Sequence, residues 1–230
     1  TSANNTQVKN IIQLNQKAKA RREQGLFVAE GRKMFGEAPK DWISRVYVTE
    51  SLTAEESLMK QVMELPEEKR EIVADNVFRQ MCDTRTPQGI LTVLKKPVWT
   101  VEDILKGDAP LVMVLEDLQD PGNAGTIFRT GEGAGVSGVF LTKTCVDITN
   151  PKVIRSTMGS VYRMPFLYVE DVVSLKAGLE QKGIRTFAAH LKGKNSYDQE
   201  DYQGGTAFLI GNEGNGLTEE AAEAADCLIR

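Results

Sequence analysis

LEDLQDPGNAGTIFRTGEGAGVSGVFL, residues 115–141, decides the fold. It leaves the apolar run Leu111–Glu116, which reads as a strand buried on both faces, as in a parallel sheet. A Gly/Pro turn follows, then a helix through Asn123–Gly133 and a strand at Gly138–Leu141. The same α/β rhythm continues beyond it. Strand Phe166–Val169, helix Val172–Lys182 and strands Arg185–Ala189 and Ala207–Ile210 come next. Thr218, followed by Glu219 and Glu220, reads as a capped helix start whose carboxylates suit the positive end of the dipole. Cys227–Arg230 reads as a strand just beginning where the sequence stops.

Working back towards the N-terminus, KKPVWTVEDILKGDAP breaks the pattern with Pro97, Gly107 and Pro110. Before it the spacing predicts an amphipathic helix over Val8–Gln24, strand Leu26–Ala29, helix Glu30–Ala38 and strand Arg45–Thr49. Helix Ala54–Leu65, strand Glu71–Ala74, helix Asn76–Cys82 and strand Gly89–Leu94 complete this part. The expected organisation is therefore a small α/β domain at 1–96, a linker at 97–110 and a second α/β domain at 111–230.

Composition excludes several function classes. No apolar run approaches the roughly 20 residues that cross a bilayer, and the polar start is no signal peptide, so a cytoplasmic protein is expected. Cys82, Cys145 and Cys227 are odd in number and contain no CxxC pair, which argues against a disulfide framework and against a zinc site. A single histidine, His190, argues against a His-based triad, and no metal is expected. The net charge of −4 does not point to nucleic acid, but its distribution does. Seven basic residues between Lys9 and Lys33, among them Arg21, Arg22 and Arg32, face only Glu23 and Glu30. Such a stripe binds phosphate even in an acidic chain, because salt screens charges beyond about 10 Å; it equally suits a solvated helix face.

Three segments place glycines and polar side chains after strands, at the sheet edge where open α/β folds bind ligands. In the first, Gly122 and Gly125 permit tight backbone around Asn123, and Arg129 offers a rigid fork for phosphate. Equally, Asn123 could cap the helix while Arg129 pairs with Asp120. GEGAG (Gly131, Gly133, Gly135) imitates a dinucleotide fingerprint, but it sits after the helix instead of between strand and helix, so a nicotinamide cofactor is disfavoured. No Lys-Ser or Lys-Thr pair follows a glycine loop, which removes the Walker-type phosphate loop. The second segment, NPKVIRSTMGSVYRMPF (150–166), carries Arg155, Ser156 and Gly159, and reads equally as a surface helix ending at Gly159. The third, FLIGNEGNGLTEEAAEAADCLIR (208–230), runs a strand straight into Gly211-Asn212-Glu213-Gly214-Asn215-Gly216. Glycines there let backbone approach a flat ligand, or simply form a turn.

In order, spacing and neighbouring residues, NAGTIFRTGEGAGV, VIRSTMGSVYRMPF and LIGNEGNGL resemble the three motifs of the SpoU (TrmH-like) RNA ribose 2′-O-methyltransferases, of the SPOUT superfamily. ARREQGLFVAEGRKMFGEA and CDTRTPQGILTV resemble that family's ribosomal-protein-like substrate domain, so the likeness covers nearly the whole chain. It implies an α/β-knot methyltransferase domain that holds S-adenosylmethionine, acts as a homodimer and modifies RNA. Ribosomal RNA is favoured and transfer RNA is the alternative; a non-catalytic RNA-binding module on the same fold is a further one. By this resemblance Asn123 and Arg129 are catalytic, Arg129 orienting or activating the ribose hydroxyl. Arg21, Arg22, Arg32, Arg155 and Ser156 bind RNA, the last two across the dimer. Ile210, Gly211, Asn212, Glu213, Gly214, Gly216 and Leu217 line the cofactor pocket, with Glu213 given no role. The family's third motif continues into an Ile-Pro strand, a Ser-Leu-Asn turn and a helix, which lie beyond Arg230. The 230-residue chain, lacking that part of the knot, is accordingly expected to bind the cofactor weakly and to have little activity.

Overall fold

The computed structural model describes residues 5–230, and these divide into two compact units. The first comprises residues 5–97 together with Asp147–Tyr162; the second comprises Val98–Val146 and Arg163–Arg230. Residues 147–162 thus group with the N-terminal unit, although the sequence alone places them in the second domain.

In the first unit, strands β1 (Leu26–Glu30), β2 (Ile43–Thr49), β3 (Arg70–Val73) and β4 (Ile90–Lys95) form a sheet of order β1-β4-β2-β3. β4 runs antiparallel to β1 and β2, and β3 runs parallel to β2. Helices α1 (Thr6–Gln16) and α5 (Asp75–Met81) cover one face, with Val8, Ile11, Leu14, Val77, Phe78 and Met81 buried against Val28, Leu91 and Val93. α3 (Arg32–Glu37) and α4 (Glu56–Met63) complete the unit's N-terminal part.

The single helix expected over Val8–Gln24 is two. α1 ends at Gln16, Lys17 adopts an extended conformation (φ −123°, ψ 112°), and α2 runs over Ala18–Gln24. Neither glycine nor proline forces the break. Arg21 explains what it accommodates: its guanidinium turns back to donate to the Leu14 carbonyl at 2.7 Å, satisfying an acceptor left open at the end of α1.

The second unit is a six-stranded sheet, parallel throughout, of order β10-β8-β9-β5-β6-β7. Its strands are β5 (Leu111–Leu115), β6 (Gly138–Thr142), β7 (Phe166–Val169), β8 (Arg185–Ala189), β9 (Thr206–Ile210) and β10 (Cys227–Ile229). The expected linker holds a short helix, α6 (Val101–Ile104), started by a reciprocal Thr100–Asp103 capping box; Ile104 is fully buried in this unit's core. α7 (Pro121–Gly133) absorbs Gly131 and Gly133 into its last turn instead of leaving them beyond it. α8 (Pro151–Thr157) belongs to the first unit, whereas α9 (Val172–Gln181) and α10 (Glu219–Ala224) belong to the second. Thr218 caps α10 as its sequence indicates, its side chain accepting from the Ala221 amide.

Candidate active site

β5 and β9 lie side by side at the centre of the parallel sheet. From β5 the neighbours run outward to β6 and β7, and from β9 to β8 and β10. The strand order therefore turns between them, and beyond their carboxyl ends lies the crevice where parallel sheets bind ligands.

The loop after β9 is pinned by its own first residues. Asn212 and Gly216 exchange backbone hydrogen bonds of 2.9 Å in both directions. The Asn212 side chain accepts from the amides of Gly214 and Asn215, at 2.9 and 3.0 Å, and donates to the Asp117 carbonyl at 2.8 Å. Because the loop folds back on its root, a Cβ on Gly211 would stand 2.0 Å from the Gly216 carbonyl carbon and 2.1 Å from the Leu217 nitrogen. Only glycine fits there.

The loop after β5 is bound to the same structure. Glu116 accepts from the Thr218 amide and hydroxyl at 2.8 and 2.9 Å, holding the start of α10. Asp117 takes the left-handed region (φ 52°), which is uncommon for a residue with a side chain. Its amide donates to Thr142 Oγ1 at 3.0 Å, and its carboxylate accepts from Gln119 Nε2 at 2.8 Å. Beneath the turn, the Cys145 sulfur accepts from the Leu118 amide and the thiol donates to the Leu115 carbonyl, both at 3.3 Å. Burial pushes that thiol up from its ordinary range, so Cys145 is a structural hydrogen-bonding group and not a nucleophile.

Glu213 joins the two loops. One carboxylate oxygen accepts from the Asp120 amide at 2.8 Å and from Asn123 Nδ2 at 3.3 Å; the other accepts from the Gln119 amide at 3.1 Å. Desolvation alone would raise this carboxyl, but the backbone amides, with Asn123 adding to them, outweigh it and hold Glu213 below the usual glutamate range. It is an ionised anchor with both oxygens engaged. Asn123 does not cap α7. Asp120 does, accepting from the Asn123 amide at 2.8 Å, and this leaves the Asn123 side chain to meet Glu213.

These elements bound an open cleft of about 400 Å³ lined by Asn123, Ile210, Gly211, Asn212, Glu213 and Gly216. Leu118, Thr126, Ile127 and Ala189 complete its wall and were not singled out in the sequence. Thr126 and Ile127 follow Asn123 by three and four positions, a helical spacing that could have found them. Leu118 and Ala189 carry no local signal. Gly214 and Leu217 are not in the lining: Gly214 is exposed, its amide held by Asn212, and Leu217 is buried in the sheet's core. The cleft suits S-adenosylmethionine chemically. Apolar walls from Leu118, Ile127 and Ile210 can take a flat adenine ring, and Gly211 offers a floor without a side chain.

Arg129 is exposed and makes no hydrogen bond or ion pair among the described residues, so the alternative pairing with Asp120 is not formed. Arg21 is corrected by the structure. It is 3% exposed and gives its guanidinium to Asp147 Oδ2, at 2.8 and 3.0 Å, and to Leu14, which leaves it no access to phosphate. Asp147 answers with a lowered pKa: burial opposes its charge, but Thr149 and Arg21 prevail. Arg22 is exposed, and Arg32, also exposed, is paired with Glu55. Arg155 pairs with Asp83 at 3.2 Å, and the Ser156 hydroxyl donates to the Lys152 carbonyl. Both belong to the first unit. Among the described residues no helix is long and apolar enough to cross a membrane, and no cluster of His, Cys, Asp or Glu is arranged to hold a metal.

A parallel α/β domain with a glycine loop at its switch point, preceded by a separate sheet domain, defines a SPOUT-type methyltransferase architecture. Residues 110–230 match the SpoU rRNA methylase family and residues 5–92 an MRM3-like substrate-binding domain. An uncharacterised tRNA/rRNA methyltransferase of Synechocystis is 30% identical over 97% of this chain and 81% of its own length. The 23S rRNA (guanosine(2553)-2′-O)-methyltransferase RlmP of Bacillus subtilis is 30% identical over 98% of this chain and 86% of its own. The crystal structure of an AdoMet-bound rRNA methyltransferase from Sinorhizobium meliloti superposes with a TM-score of 0.83 at 28% identity, covering 100% of this chain and 87% of that one. The chain belongs to the SpoU rRNA methylase family, whose members are S-adenosylmethionine-dependent RNA methyltransferases.

Proposed function

We propose that this chain transfers a methyl group to a ribose 2′-hydroxyl of RNA, with ribosomal RNA as the substrate and the protein working as a homodimer. The observation that carries the reading is the open cleft at the β5/β9 switch point, whose two loops Glu213 joins and which Gly211 floors. Bound there, S-adenosylmethionine would supply an electrophilic methyl on a sulfonium. Ile210, Gly211, Asn212 and Gly216 would hold it, with Leu118 and Ile127 excluding water from its ring face.

The chain's own residues have narrower tasks. As the 2′-oxygen bonds to the methyl carbon, the carbon–sulfur bond of the sulfonium would break and the demethylated thioether would leave, while the hydroxyl proton passes to solvent water and negative charge builds on the oxygen. Arg129 is a fixed cation with no partner among the described residues, so it is available to orient the hydroxyl or a neighbouring phosphate and to stabilise that charge. Glu213 does not serve as the base, because its oxygens are engaged by amides and its basicity is lowered. Asn123, held by Glu213, positions the ribose.

Methyl-labelled S-adenosylmethionine, incubated with ribosomal and transfer RNA and followed by mapping of 2′-O-methyl positions, tests this directly. Label in ribosomal RNA that disappears in Arg129→Ala, with RNA affinity retained, is expected. Label confined to transfer RNA would overturn the substrate, and no label in either would leave a binding module on this fold. Sedimentation at micromolar protein is expected to give a dimer.

A further inference from the structure

Around the cleft at the β5/β9 switch point, most polar groups are already committed to the protein itself. The amides of Asn212 and Gly216 pair with each other's carbonyls, and those of Gly214 and Asn215 donate to the Asn212 side chain. On the side of β5, the amides of Gln119 and Asp120 donate to Glu213, and that of Leu118 to the Cys145 sulfur. The side-chain amides of Asn123 and Asn212 each give a hydrogen away, to Glu213 and to the Asp117 carbonyl.

One side chain of the wall differs. Thr126 is exposed on α7, lines the cleft, and has a hydroxyl with no hydrogen bond among the described residues. A Ser or Thr within a helix can return its hydroxyl to a carbonyl of the preceding turn. In α8 both do so, Ser156 to the Lys152 carbonyl at 2.9 Å and Thr157 to the Ile154 carbonyl at 2.7 Å. Thr126 keeps its donor free. It also lies three positions after Asn123, a spacing that sets the two on the same side of the helix, where both line the cleft.

S-adenosylmethionine carries, at the end away from its adenine, an amino-acid portion with a full negative charge on its carboxylate. Such a group leaves water only where donors replace its hydration. Among the described residues that line the cleft there is no lysine or arginine to pair with it, and the one charged group, Glu213, has the wrong sign. We infer that the Thr126 hydroxyl donates to the carboxylate of the cofactor's methionine portion, so that this end is held by a hydrogen bond from a neutral group and not by an ion pair. The inference rests on the methyltransferase reading above and deepens it, adding a cofactor contact at a position that none of the glycine loop's residues supplies.

Calorimetry on the whole chain tests the contact with two ligands: S-adenosylmethionine, and its decarboxylated form, which keeps the adenosine, the sulfonium and the amine. Thr126→Val preserves the branched shape and removes the donor. It should weaken the cofactor about tenfold, the size of a hydrogen bond to a charged group. The decarboxylated form should bind wild type and variant within roughly twofold of each other, because the difference between the two losses measures the coupling of hydroxyl to carboxylate. Thr126→Ser, which restores the donor, should recover most of the affinity. Thermal unfolding should be unchanged in both variants, since an exposed hydroxyl without a partner contributes little to stability. An equal loss for both ligands would make Thr126 part of the wall's shape and overturn the contact, as would no loss for either. Discrimination between the ligands that survives Thr126→Val but vanishes in Arg129→Ala would put the carboxylate on Arg129 and overturn it too. Wild type that binds neither ligand would overturn both the contact and the cofactor cleft on which it rests.

Discussion

Among single residues, Gly211 and Glu213 make the sharpest commitments. Gly211→Ala places a methyl inside the backbone of Gly216 and Leu217, atoms that cannot step aside as a side-chain tip would. The whole loop must move, and calorimetry is expected to find cofactor binding lost while thermal unfolding stays cooperative. Glu213→Gln is subtler. One oxygen survives as an acceptor, but the new NH₂ must face a backbone N–H or turn outward, leaving one amide of 119–120 unpaired. An unmade hydrogen bond of this kind costs about 1–3 kcal/mol, so kcat/KM for the cofactor should fall roughly tenfold or more. Because Glu213 is held below the ordinary glutamate range, its anchoring is complete above that range and is lost as pH falls through the lowered value. Cofactor affinity measured from pH 7 downward should weaken in acid for wild type, and less so for Glu213→Gln. The sequence offered Glu213 as part of a motif but not this task, since its partners, at 119, 120 and 123, are some 90 positions earlier.

The same contrast holds for whole elements. α10 was legible because Thr218 and the acids after it form a local cap signal, and local hydrogen bonds need no knowledge of the rest of the chain. α7 was legible as a helix, but its cap was not: Asn123 was offered only as an alternative cap, and Asp120, three residues earlier, holds the position. Asp120 won because Gly122 leaves room: a Cβ there would stand 2.9 Å from the capping oxygen. Asp120→Ala should therefore destabilise the protein by about 1 kcal/mol in urea titration. It should also disturb the cleft more than Thr218→Ala, because Asp120 fixes the turn of helix that carries Asn123. If the two variants lower kcat/KM equally, the argument that α7's first turn orders the site fails. The break at Lys17 was illegible for a different reason. No residue near it disfavours helix, and the side chain that fills it, Arg21, is held from the other side by Asp147, 126 positions away.

For the molecule as a whole, the order and type of the strands were readable from apolar runs and turn residues, because a parallel sheet imprints each strand separately. The division into units was not readable at 147–162. That segment lies between two strands of the second sheet, and only packing reveals that Tyr162 donates to the Met34 carbonyl at 2.9 Å and that Asp147 neutralises Arg21. Residues 5–97 alone are therefore expected to be less stable than the same residues in the whole chain. Without Asp147 the guanidinium of Arg21, 3% exposed in the whole chain, has no counter-charge, and removing one partner of a buried pair costs about 3–5 kcal/mol. Arg21→Met should consequently change sign with context. In the whole chain it leaves Asp147, whose carboxyl Thr149 and Arg21 hold below the usual aspartate range against burial, with Thr149 alone, and it should destabilise. That penalty is present above the ordinary aspartate range and fades as pH falls through the lowered value, since a protonated Asp147 no longer needs the cation. In the isolated 5–97 fragment the same substitution replaces an unpaired buried charge with an apolar chain and should stabilise. Urea titrations of all four species at neutral and acid pH would decide it. Destabilisation of both backgrounds by Arg21→Met would mean that the guanidinium matters for its carbonyl bonds within the α1–α2 turn, and that 147–162 is a passenger on the first unit and not part of its core.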